Sequence, residues 1–347
     1  FTDDNFCRNK HWEAMCDALI RLRTDEGIRL AFMVQVDTQA YKVPRFIPKI
    51  RAAGCSQVFI GLESLSPQNL VAAGKRQNLV ADFRAMVGAY RQTGINTHIA
   101  YIIGFPFDTV ASVRRDVARL TSELGPEQAS FFMLTPLPGS QDHLEMTRRG
   151  ERMDGDLNRY DSFHATTPHP RMSRAAWQQA YDEAWRTFYG IENLKAILRR
   201  VPPENYWGVL TNAVWYKNAT MVEGGHPMLH GFVRLKDRLQ RRPGFPVETR
   251  WRHLRRRLRD VGRYVRLWTR LALEMEEVWL QTRPRSELER LVVQELQQRY
   301  AHVKQWRELR LSQLQRAYCR AVVRLTQRSS RAPGWGREAR CHTPRVA

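Results

Sequence analysis

From its first residue to about residue 135 the chain repeats one pattern, a short run of β-branched and other apolar side chains followed by a stretch with helical apolar periodicity. The strand candidates are 1–4, 28–36 (IRLAFMVQV), 57–63 (QVFIGLE), 95–103 (INTHIAYII) and 128–134 (QASFFML), recurring roughly every 30 residues, the size of a βα unit. Helices are expected between them near 11–25, 44–53, 66–92 and 108–124. Both faces of each run look buried, as in a strand covered on two sides. The pattern therefore predicts an α/β fold with a parallel sheet and right-handed crossovers, closed as a barrel or doubly wound. In such folds the C-terminal strand ends carry the chemistry. Here those ends hold small or polar groups: Asp3-Asp4-Asn5, Gln35 with Asp37, Glu63-Ser64, Gly104 before Phe105-Pro106, and Thr135-Pro136.

Beyond this region the pattern changes. Residues 136–172 are irregular and rich in Gly, Pro, Asp and His, after which Ser173 is placed to cap a helix running to about Tyr189. Breaks at Pro202-Pro203, Gly224-Gly225 and Pro243-Gly244-Phe245-Pro246 make 191–247 a mixed segment. Residues 248–327 have a long helical pattern interrupted near Pro284, and 328–347 have the composition of a disordered tail. The expected divisions are 1–140, 141–190, 191–247, 248–327 and 328–347.

The charge is unevenly spread. Lys and Arg number 56 against 35 Asp and Glu, a net +21; residues 1–200 carry 26 basic and 22 acidic side chains, residues 201–347 carry 30 and 13. No run approaches the ~18 to 20 apolar residues that a membrane span needs. Cys7, Cys16, Cys55, Cys319 and Cys341 are odd in number and scattered, a usage suited to a reducing cytoplasm, and none falls in a metal-binding spacing.

Four segments, FTDDNF, VFIGLES, HIAYIIGFPFDT and FFMLTPLPGS, stand in an order and spacing that resemble the radical S-adenosylmethionine enzymes. The nearest likeness is to the subgroup associated with a cobalamin-binding domain, which includes hopanoid methylases and the anaerobic magnesium-protoporphyrin ester cyclase. It covers about residues 1–190. The resemblance implies a partial (β/α)6 TIM-like barrel with a CxxxCxxC loop after its first strand, holding a 4Fe-4S cluster, and here a mostly helical C-terminal region after it. FTDDNF then corresponds to the second strand. The expectation is a chain that lacks the first strand and cluster loop, with a cobalamin domain further upstream, and whose fragment alone is inactive.

The resemblance also implies site roles. Asp3, Asp4 and Asn5 would accept hydrogen bonds from the amino group of the methionine moiety; in the alternative, Asp3 or Asp4 caps the following turn. Glu63 and Ser64 would bind the ribose diol, unless Glu63 pairs with a neighbouring basic group. Ile102, Ile103 and Gly104 would hold adenine, the glycine allowing close approach, and Asp108 stands where the family often has Glu. Gln35 would line the cavity or satisfy the core, and Thr135 would border the adenosyl group or form a turn with Pro136.

The implied reaction is reductive cleavage of S-adenosylmethionine to a 5′-deoxyadenosyl radical that modifies an unactivated carbon, by methylation or oxidative rearrangement. The implied partners are a lipid-like or tetrapyrrole substrate and an electron donor such as flavodoxin or ferredoxin. Two rivals differ in kind: an RNA-modifying methylthiotransferase-like enzyme, and a non-catalytic remnant serving as an interaction module.

Weaker features remain. Gly74-Lys75 lacks the rest of a phosphate loop. His226 and His230 have a four-residue spacing, but Pro227 and the glycines oppose a helical metal site; His143, His164 and His169 lie in the irregular stretch. In WRHLRRRLRDVGRYVRLWTR, Arg252, Arg255, Arg256, Arg259, Arg263 and Arg266 accompany Trp251, Leu254, Leu258, Val261, Val265 and Trp268. That is a basic amphipathic helix, suited to an anionic membrane surface or an acidic partner, or else packed on the barrel with a solvated arginine face. No RNA-binding signature accompanies the charge.

Overall fold

The βα alternation carries through to a single parallel sheet. The computed structural model describes residues 3–229, 237–240 and 244–283, with single positions at 298, 301, 305, 309, 312 and 313. Phe1–Arg283 forms one compact unit and Pro284–Ala347 a second; the sheet belongs to the first. Its strands are β1 (Phe32–Val36), β2 (Cys55–Glu63), β3 (Asn96–Ile103) and β4 (Gln128–Met133), in the spatial order β1-β2-β3-β4, all parallel. Between them run α1 (Trp12–Asp25, before β1), α2 (Phe46–Ala53), α3 (Pro67–Ala72), α4 (Phe83–Gln92) and α5 (Val110–Arg119).

Two expectations are corrected. Phe1 and Thr2 lie outside the described residues, and Asp3 to Asn5 form a turn into a short 3-10 segment rather than a strand, so the described residues carry four strands instead of five. The helix expected over 66–92 is broken: α3 stops at Ala72, Gly74 takes φ +70°, and Lys75 N donates to Leu70 O, closing the helix before Asn78 turns inward.

Period two sorts the strand side chains. Ile60, Ile99, Tyr101, Ile103, Phe131 and Met133 are buried with the surrounding helices, while Phe59, Gly61, His98, Ala100, Ile102 and Phe132 share the opposite face. After β4 come α6 (Gln141–Arg148), α7 (Arg174–Phe188), α8 (Ile191–Arg200), α9 (Tyr206–Lys217) and α10 (Arg250–Thr282). Ser173 Oγ accepts from Ala176 N at 3.1 Å, so the cap expected at α7 is present.

α7 and the residue after it cover the edge of β4 with phenols. Tyr181 donates to Phe131 O at 2.9 Å and Tyr189 to Ala129 O at 2.7 Å, satisfying carbonyls that a further strand would otherwise take. α9 approaches the opposite face, where Asn212 Nδ2 donates to Gln128 Oε1 at 3.2 Å and Tyr216 stands against His98.

His98 is buried on this face, 2.7 Å from Ser130 Oγ and edge-on to Phe59 and Tyr216. Burial, assisted by His226, pushes its pKa down to about 3. The folded state thus refuses a proton that the unfolded chain takes below its ordinary imidazole pKa. Stability from this group is present above that value and is lost as pH falls from about 6.5 toward 3, at up to ~1.4 kcal/mol per pH unit. His98→Gln should flatten that acid limb. Urea titrations at neutral, mildly acidic and acidic pH check it, and an unchanged slope would contradict the assignment.

Candidate functional site

The C-terminal strand ends open on a cavity of about 540 Å³. Phe59, Gly61, Ala100, Ile102 and Phe132 supply its strand-borne wall, and Met228 reaches it from the segment after α9. Its polar rim contains Asp4, Asn5, Gln35, Asp37, Glu63 and Lys75, joined by Gln77 and Asn78.

A bulge aims Glu63. Pairing between β2 and β3 shifts register between Gly61 and Glu63, and Glu63 adopts φ +71°, rare for a side-chain-bearing residue. Its carboxylate folds back over Gly61, where an added Cβ would lie 2.9 Å from Glu63 Oε1. Lys75 Nζ meets the same oxygen at 3.1 Å, so Glu63 has the basic neighbour anticipated in the alternative reading. Asn78 pins the bulge: its Nδ2 donates to Gly61 O and Leu62 O, and its Oδ1 accepts from Thr38 Oγ1 at 2.8 Å.

On the other side of the rim, Asn5 Nδ2 donates to Asp37 Oδ2 at 3.0 Å, and Arg8 Nε donates to the same oxygen. Partial burial works to raise the Asp37 carboxyl, but hydrogen bonds from Asn5, Arg8 and the Gln39 backbone outweigh it and hold the pKa below its ordinary value. Asn5 Oδ1 is buried and has no hydrogen-bond partner among the described residues. Such an acceptor costs roughly 1–3 kcal/mol when left unpaired, and it sits on a residue of the cavity wall.

The structure gathers Asp4, Asn5, Gln35, Glu63 and Ile102 around one space, and Asp3, Ser64, Ile103, Gly104 and Thr135 do not line it. Asp3 accepts from Asn5 N and Asn9 Nδ2, as the capping alternative has it, and these bonds lower its pKa. Ser64 is fully buried and its Oγ accepts from Ser66 N. Ile103 points into the helix-covered core, and Thr135 Oγ1 donates back to Met133 O. Gly104 does need its missing side chain, but for Trp177: at φ +115° an added Cβ would lie 2.1 Å from the indole, whose Nε1 donates to Ile103 O at 3.1 Å. Asp108 organises the same turn, accepting from Gly104 N, Phe105 N and Asn69 Nδ2, and burial raises its pKa to about 6.

Several wall residues were not singled out from sequence. Gly61, Phe59 and Ala100 follow from Glu63 and Ile102 by period two, a signal that was available. Asn78, Gln77 and Met228 come from connections whose path the sequence pattern does not set. His226 stacks on Phe132 at 4.5 Å, His169 hydrogen-bonds Phe105 O, and His164 faces Asp161; His230 lies outside the described residues. No group of three or more His, Cys, Asp or Glu able to hold a metal occurs among the described residues.

A second cavity, about 580 Å³, lies by Trp185, Tyr189, Lys217, Met221, Arg270 and Glu274. Three of its charges are paired: Glu274 takes Lys217 and Arg270, each at 2.8 Å.

No family model matches the chain. It is similar to bacteriochlorophyllide d C-12(1)-methyltransferase of Chlorobaculum tepidum, 25% identical over 222 residues, covering 64% of this chain and 45% of that protein. It also matches the bacteriochlorophyllide d C-8(2)-methyltransferase of the same organism, 22% identical, covering 66% and 53%. An uncharacterized methyltransferase of Pyrococcus horikoshii is 30% identical over 145 residues, 41% of this chain and 29% of that protein. The chain thus spans about half the length, or less, of these curated relatives. Among solved structures, the radical S-adenosylmethionine methyltransferase TsrM from Kitasatospora setae, with cobalamin and a [4Fe-4S] cluster bound, aligns with a TM-score of 0.39 and 18% identity, covering 59% of this chain and 43% of that one. The cobalamin-dependent S-adenosylmethionine radical enzyme OxsB aligns with a TM-score of 0.38 and 12% identity, covering 66% and 41%.

Proposed function

We propose that this chain supplies the S-adenosylmethionine-binding part of a radical S-adenosylmethionine methyltransferase acting on a carbon of a tetrapyrrole, its sheet forming most of a partial (β/α)6 barrel. The observation that carries this reading is the orphaned Asn5 Oδ1 on a cavity whose rim also holds Asp4, Gln35 and Glu63. The names of two relatives support the substrate class.

In this reading Asn5 Oδ1 and Asp4 accept from the methionyl ammonium, and Glu63 exchanges Lys75 for the ribose hydroxyls. Ile102, Phe59 and Phe132 give the adenine an apolar bed. Gln35 supplies a further amide on the same wall.

The activity class calls for a 4Fe-4S cluster, and the described cysteines do not fit one. Cys7, Cys16 and Cys55 are buried apart from any ligand group, and burial pushes Cys16 up to about 11 and Cys55 to about 12, keeping them as thiols. Cys319 and Cys341 lie outside the described residues. The described residues therefore provide the nucleoside side of the site. Cobalamin and a flavodoxin or ferredoxin donor belong to this reading by resemblance alone.

Calorimetric titration of S-adenosylmethionine into the full chain tests it. Saturable binding is expected, with Glu63→Gln and Asp4→Asn each weakening it roughly 10- to 100-fold, the effect of losing a charge-assisted hydrogen bond. Absence of binding, or two variants that bind as tightly as the native chain, would sink the proposal.

A further inference from the structure

The N-terminal half of α10 carries an exposed apolar stripe that the fold engages at Trp268, whose Nε1 donates to Asn218 Oδ1 at 2.9 Å. The residues of this helix that pack inward include Tyr264, Leu267, Leu271, Met275 and Val278. A second stripe, Trp251, Leu254, Leu258, Val261, Val265 and Trp268, alternates steps of three and four residues, and every member is at least 40% exposed. At about 100° per residue the two stripes lie roughly 110° apart around the helix.

Beside the exposed stripe runs a row of cations. Between residues 250 and 270 there are nine arginines and one acidic residue, Asp260, which pairs with Arg256. Arg256 also takes Glu248, and Arg270 takes Glu274. Arg252, Arg255, Arg259 and Arg266 have no ion-pair partner among the described residues. By helical geometry Arg252, Arg255 and Arg259 lie on the side of the stripe away from the packed face, and Arg266, also exposed, borders a cavity beside Met221 and Val222.

Steps of three and four also suit a coiled coil, but the charges that would set its register are missing. The positions flanking the seam are Arg255, Gly262 and Thr269 on one side and Arg257, Tyr264 and Leu271 on the other. After the first heptad none is charged, and Tyr264 and Leu271 already face the core. A surface without register, negative and apolar by depth, matches the pattern better. Tryptophans at both ends suit the headgroup level, and arginines extend past their own apolar stems to phosphate.

We propose that the first half of α10 docks this protein on the surface of an anionic lipid bilayer, with the stripe from Trp251 to Trp268 in the interface and Arg252, Arg255, Arg259 and Arg266 on the headgroups. No helix of the described residues is long and apolar enough to cross the bilayer; the contact is peripheral. It does not depend on the proposed activity.

The test is sedimentation of the full chain with vesicles of phosphatidylcholine alone or mixed with phosphatidylserine. The chain should pellet with the anionic vesicles only, less so as salt rises. Leu258→Asp/Val265→Asp and Arg252→Gln/Arg259→Gln/Arg266→Gln should each weaken this by roughly tenfold or more. All five positions are exposed, so circular dichroism should stay unchanged. Failure to pellet, pelleting that neither variant alters, or a dimer that Leu258→Asp/Val265→Asp dissociates would overturn the proposal, the last by assigning the stripe to a second copy of the chain.

Discussion

Ala100→Phe should abolish S-adenosylmethionine binding while leaving the fold nearly intact. Ala100 lies on β3 between Gly61 and Ser130 in register, and its methyl faces the cavity beside Ile102. A phenyl ring there occupies the space assigned to the adenine. Because it enters a cavity instead of a filled core, the stability cost should stay below about 1.5 kcal/mol, under the usual range for overpacking. Binding should fall by roughly 100-fold or more, a loss of at least ~2.7 kcal/mol. The pair of measurements is a ligand titration and a urea melt on the same preparation. Weak binding with a normal melt supports the site; unchanged binding removes it.

The largest loss of stability is expected just past the C-terminal end of β3. Gly104→Ala puts a Cβ 2.1 Å from Trp177 at a backbone φ of +115°. Steric overlap and left-handed strain together should cost about 3 to 5 kcal/mol. Trp177→Ala should cost a similar ~3 to 5 kcal/mol, through the cavity left by a side chain that is 1% exposed and the loss of its bond to Ile103 O. The two effects should not add. With Trp177 gone, Gly104→Ala retains only its backbone strain, roughly 1 to 3 kcal/mol. Additive losses in the double variant would mean that the glycine serves something other than the indole.

That pair also shows how far the sequence could be read. The repeat of apolar runs located β1 to β4, although only β3 and β4 are buried on both faces as expected; in β1 and β2 buried residues alternate with partly exposed ones, and Met33 is exposed. The residues at the strand ends were a harder matter. Period two says which side chains share a face, and it correctly groups Glu63 with Gly61 and Ile102 with Ala100. It cannot say what approaches from a distant helix. Gly104 was expected to admit a ring, and it does, but the ring is Trp177, 73 residues further along the chain.

Ser64 and Thr135 illustrate a second limit. Both are hydroxyl residues at strand ends, and both spend their oxygen on local turns, Ser64 accepting from Ser66 N and Thr135 donating to Met133 O. Asp3 does the same through Asn5 and Asn9. Sequence gives such a residue two uses, and only the path of the backbone chooses. Lys75 was dismissed for want of a phosphate loop, yet the end of α3 brings it to Glu63. Its role as a counter-ion leaves no pattern in the sequence.

Photoaffinity labelling addresses the central claim most directly. An S-adenosylmethionine analogue with an azide on the adenine ring would be irradiated with the full chain, with and without excess S-adenosylmethionine, and the labelled peptides mapped. The account predicts competed labelling of the cavity wall, at Phe59, Ile102, Phe132 or Met228. Labelling concentrated at Trp185, Tyr189 or Met221, beside the second cavity, would contradict it. So would labelling that S-adenosylmethionine fails to compete.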